Sequence, residues 1–75
     1  MTYRKGDTPM ITPSVLVYRD LRNGIMLPGS ARVEEFGNAG AALRHLEREG
    51  WKVGSDPREF VKWEGYTLHE CRIIF

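Results

Sequence analysis

A second cysteine is missing from this 75-residue chain, so Cys71 can close no intrachain disulfide, and a reducing compartment is expected. An excess of charge is missing too. Eleven Lys and Arg stand against ten Asp and Glu, a formal net charge of +1. That balance argues against a nucleic-acid binder driven by bulk charge and against an acidic mimic of nucleic acid. No apolar run approaches membrane-spanning length, and the basic start MTYRKGDTPM leads into no signal-peptide core. The expectation is a soluble cytoplasmic protein with no membrane partner. Nucleophile-elbow, phosphate-loop and paired-histidine motifs are absent as well.

What remains fits one small domain. A chain of this size buries little more than ~60% of its unfolded surface, so stabilisation by a partner or by a second copy is an expectation in its own right.

Residues 1–14 hold Gly6, Pro9 and Pro13 without periodicity and read as a flexible arm, with Met10 a second candidate start. Residues 15–75 read as the domain. Val15 to Leu21 is β-branched and aromatic, which predicts a strand. Asn23-Gly24 then predicts a type I′ hairpin, with Leu21 facing Met26 and Arg22 facing Ile25. One face of this hairpin is Val15, Val17, Leu21 and Met26, interrupted only by Arg19. The other mixes Leu16, Tyr18, Ile25 and Leu27 with Asp20 and Arg22. Leu27-Pro28-Gly29-Ser30 suits a type II turn. Arg32 to Phe36 reads as a short strand or an irregular entry segment.

The stretch Asn38 to Val53, NAGAALRHLEREGWKV, carries the helical signal. Asn38 can cap the N-terminus through its side-chain oxygen. Ala39, Ala42, Leu43 and Leu46 form an apolar stripe, while Arg44, Glu47 and Arg48 fall on the wet side. Gly50 stands where a left-handed C-cap is needed, and Trp51 can fold back on the last turn. A helix this short is marginal alone and must lie on a sheet.

Trp51 to Val53 predicts a strand and Gly54 to Pro57 a loop. Glu59–Trp63 and Tyr66–Phe75 predict a second hairpin. Taking Glu64-Gly65 as its loop sets Trp63 opposite Tyr66, Val61 opposite Leu68 and Phe60 opposite His69. That gives an aromatic-rich face of Val61, Trp63, Tyr66 and Leu68, expected to be core. Arg58 to Tyr66, REFVKWEGY, resembles the second strand of the chromodomain. In that family the Trp and Tyr matching Trp63 and Tyr66 help to build an aromatic cage for methylated lysine, so the resemblance implies a cation–π site. The chromodomain helix follows its sheet, whereas here the helical stretch comes first. The end EREGWKV is also similar to small bacterial domains with one helix closing on Gly-Trp, which implies fold only.

His69 and Cys71 share a strand face, the arrangement of a metal-ligand or nucleophile–base pair, but no further ligand or orienting residue has the required spacing. No metal, cofactor or catalytic residue is expected. The fold expected is α+β: an antiparallel sheet of four or five strands with one helix packed on one face. The function expected is a non-enzymatic binding module that docks on a protein partner and modulates or inhibits it. A phage-type inhibitor such as an anti-CRISPR is an analogue in size and style. Self-association as a homodimer is the second expectation, and a nucleic-acid-binding accessory protein is the alternative. The mixed face and edge of the first hairpin place the partner-binding residues at Tyr18, Arg19, Arg22, Ile25 and Leu27.

Overall fold

The computed structural model describes residues 13–75. The expected arm lies mostly outside the described residues; Ser14, assigned to it from sequence, is buried as the first residue of a strand. The order is β1 (Ser14–Arg22), β2 (Ile25–Met26), β3 (Arg32–Phe36), α1 (Ala39–Arg48), β4 (Lys52–Val53), β5 (Glu59–Glu64) and β6 (Thr67–Ile74). The fold is α+β, an antiparallel sheet with one helix on one face. The sheet runs β2-β1-β6-β5-β4, and β3 shares the β2 side of β1.

The Asn23–Gly24 turn forms as predicted. Both residues have positive φ, at 54° and 76°, and Leu21 pairs with Met26. The returning strand is then interrupted. Met26 pairs with Leu21 and Arg32 with Tyr18, so six steps on the return match three on β1. The Leu27–Ser30 turn takes up the surplus. Gly29 has φ +75°, Ser30 N–H donates to the Leu27 carbonyl, and the Ser30 hydroxyl accepts from the Asp20 N–H. Because the surplus is odd, it exchanges the faces of the strand. Met26 points to the same face as Leu21, while Arg32, Glu34 and Phe36 share the face of Tyr18, Leu16 and Ser14.

Helix α1 begins and ends where its caps require. Asn38 Oδ1 accepts from Ala41 N–H at 2.8 Å. Gly50 (φ +85°) closes the other end: its N–H reaches the Glu47 carbonyl and the Trp51 N–H reaches Leu46, a Schellman pair. The buried stripe of Ala39, Ala42 and Leu46 meets Leu16 and Tyr18 of β1, Phe60 of β5, and Cys71 and Ile73 of β6. Phe36, Leu43 and Trp51 pack around that cluster.

The C-terminal hairpin has a register two residues from the expected one. Glu64 pairs with Thr67, Trp63 with Leu68 and Phe60 with Cys71, leaving Gly65-Tyr66 as the loop. Only Gly65 takes positive φ there. A type I′ loop at Glu64-Gly65 would impose positive φ on a glutamate, whereas Gly at the first loop position suits a type II′ turn. The slip of two preserves the facing of each strand residue and moves Tyr66 out of the strand.

Candidate interaction surface

The helix covers one face of the sheet, and the other has no second layer among the described residues. Cross-strand pairing draws a row over that open face: Met26 opposite Leu21, Leu21 opposite Leu68, Leu68 opposite Trp63. The row ends at Trp63, 66% exposed, beside Tyr66, 88% exposed at the loop tip. Trp63, Tyr66, Leu21 and Leu68 line a shallow cavity of about 300 Å³ with the Asn23–Gly24 turn as a further wall. A second cavity of about 380 Å³ lies further along the sheet, lined by Val17, Met26, Ala31 and Ile74. Two ion pairs flank it, Arg19–Glu70 and Arg72–Glu59, each at 2.7 Å. The arrangement is an apolar floor with charged borders.

The five residues expected to bind a partner are not brought together. Tyr18 is 3% exposed, lies beneath the helix and belongs to the core. Its ring packs 5.8 Å from that of Trp51, Arg32 lies over it at 3.9 Å, and its hydroxyl donates to Glu34 at 2.7 Å. Burial first, then the Glu34 carboxylate, pushes its ionisation far above the ordinary tyrosine range. Arg19 is on the opposite, open face. Arg22 shares the face of Tyr18 but stands at the far end of the strand, bonded to Thr67. Ile25 is exposed at the hairpin end, and Leu27 lies half-buried in the turn, its N–H donating to the Asp20 carbonyl. Arg19 therefore adjoins the open-face site from its border, and the other four lie elsewhere.

Trp63, expected in the core, stands instead on the open face. Two charged pairs decide this facing: Arg19 with Glu70, and Arg72 with Glu59, are cross-strand partners that all point away from the helix. The alternative face carries Leu16, Tyr18, Cys71, Ile73 and Phe60, which can be buried without desolvating charge. The signal for it lay in β6, where Cys71 and Ile73 alternate with Glu70 and Arg72.

On the helix side, beyond the core, His69 of β6 ties together its two neighbouring strands, β1 through Asp20 and β5 through Glu64. Its Nδ1 is 2.6 Å from Asp20 Oδ1 and its Nε2 is 2.8 Å from Glu64 Oε1. With a carboxylate at each nitrogen, both bonds are made only when both nitrogens carry protons. The Asp20 hydrogen bond, against the opposing cost of burial and with the help of Glu64, raises its pKa above 6.5. Cys71 is 2% exposed, and burial pushes its thiol up to about 12. A thiol so placed holds its proton at neutral pH and is a poor nucleophile or metal ligand.

Among the described residues no helix is long and apolar enough to cross a membrane. Comparison of the chain with protein-family models, with curated proteins and with solved structures returns no match.

Proposed function

We propose that this chain is a small non-enzymatic binding module that docks on a protein partner through the open face of its sheet and modulates or inhibits that partner. The observation that carries the reading is the Met26–Leu21–Leu68–Trp63 row, left without a covering layer among the described residues and extended by Tyr66. Large aromatics set beside aliphatic side chains and bordered by charge are what a protein partner uses as anchors. The buried, proton-holding Cys71 and the doubly engaged His69 support a non-enzymatic role.

Trp63 and Tyr66 also offer a stacking platform for single-stranded nucleic acid. Against that reading, Arg19 and Arg72 on the same face are each paired with a glutamate rather than left for phosphate.

The test is capture of partners from source-cell lysate by the tagged chain, beside a Trp63→Ser/Tyr66→Ser variant whose circular dichroism is unchanged. The partner retained by the native chain should be lost from the variant. Retention by both would remove the open face from the proposal. Binding to oligonucleotides with a steep salt dependence would replace the protein partner with a nucleic acid.

A further inference from the structure

The edges of the sheet are unequal. β2 and β4 are two residues each, too short to template another strand, and β4 runs into the Gly54–Pro57 loop. β3 is five residues long, pairs with β1 alone among the described residues, and contains neither proline nor lysine. It lacks those two protections, and its charged residues Arg32, Glu34 and Glu35 guard the edge only against partners that set like charges opposite them.

The sequence of β3, Arg-Val-Glu-Glu-Phe, also selects what can be added. In a symmetric antiparallel pair, residues opposite one another must point to the same face, so only alternate registers are allowed. Centring on Arg32 or on Glu34 sets like charges opposite each other at the axis, and centring on Glu35 does the same. Centring on Val33 sets Val33 against its own copy and Arg32 of each copy against Glu34 of the other. Centring on Phe36 would set Glu34 against Asn38 and Val33 against Ala39, which belong to the start of the helix. Val33 is therefore the centre that pairs β3 with itself, matches Arg32 with Glu34 and sets no like charges opposite, Glu35 falling against neutral Ala31. Val33, on the open face and 64% exposed, would be covered at the axis.

We infer that β3 is a dimerisation edge: two copies of this chain join antiparallel through Val33 into one continuous sheet. The row Val17–Val33 of one copy then meets Val33–Val17 of the other, and the two open faces lie on the same side of the joined sheet. A single strand pair buries less than a standard stable interface, so the dimer belongs to the micromolar class. This inference does not depend on the partner proposed for the Trp63 region, which lies at the other end of the open face.

Sedimentation of the full chain from about 5 to 500 μM should show a monomer–dimer equilibrium that weakens with added salt. Val33→Lys sets two ammonium groups on the axis at an exposed position. It should raise the dissociation constant roughly tenfold or more while leaving the melting curve of the dilute protein unchanged. Val33→Cys should cross-link rapidly on mild oxidation, because the two side chains are cross-strand partners. Glu35→Cys should not, and the native chain, with only buried Cys71, should not. A monomer throughout the concentration range, a dimer indifferent to Val33→Lys, or faster cross-linking at position 35 than at 33 would each overturn the inference. In the first case the edge is left for a strand of a different partner.

Discussion

Trp63 and Leu68 stand directly opposite each other across the C-terminal hairpin, on the face that α1 does not cover. Their contact is a cross-strand pair at a wet surface, worth up to about 1 kcal/mol. Trp63→Ala should therefore lower stability by no more than roughly that amount and leave a cooperative melt. A loss of several kcal/mol by chemical denaturation would mean that Trp63 is sealed beneath another layer.

Leu16, fully buried between α1 and the sheet, should behave oppositely. Leu16→Ala is expected to cost about 2–5 kcal/mol, a loss that a domain of this size can hardly absorb. Loss of the cooperative transition, or a large fall in urea midpoint, is the expected readout.

The caps of α1 can be tested singly. Asn38→Ala removes the acceptor of the Ala41 N–H and should cost about 1 kcal/mol. Gly50→Ala meets no atom within 4 Å, so its cost, about 1–2 kcal/mol, comes from the left-handed backbone alone. A neutral Gly50→Ala would show that the helix end relaxes out of positive φ.

His69 gives stability a definite pH dependence. Its folded pKa is raised above its unfolded value of 6.5, so its contribution is complete below that value and is lost as pH rises through the folded pKa. Stability measured from mildly acidic to alkaline pH should fall over that window, and His69→Gln should flatten the slope. Because Glu64 lies at the exposed end of the pair, Glu64→Gln should reduce the slope less than Asp20→Asn.

The parts legible in the sequence are those governed by local backbone chemistry. Asn23-Gly24 dictates its own hairpin register, Gly29 its type II turn, and Asn38 with Gly50 the limits of the helix. The parts not legible depend on which strand lies beside which. Val15, Val17 and Leu21 are as apolar as Leu16 and Tyr18, so β1 by itself does not say which face the helix takes. The choice is made in β6, where Glu70 and Arg72 meet Arg19 and Val17. The misplacement of Tyr18 and of Trp63 follows from that single ambiguity. The two-residue slip of the last hairpin has a separate cause, the position of Gly65 in its loop.

The turn between β2 and β3 makes the chain sensitive to whether its length there is odd or even. Its three surplus residues place Phe36 and Glu34 toward α1 and Val33 away from it. Deleting one residue between Leu27 and Ala31 would invert all of β3, sending Phe36 into water and Val33 beneath the helix. Adding or removing two would preserve every facing and change only the reach of the loop. Variation in length at this point should therefore be tolerated in steps of two, a rule set by the pleat and blind to the identity of the residues gained or lost.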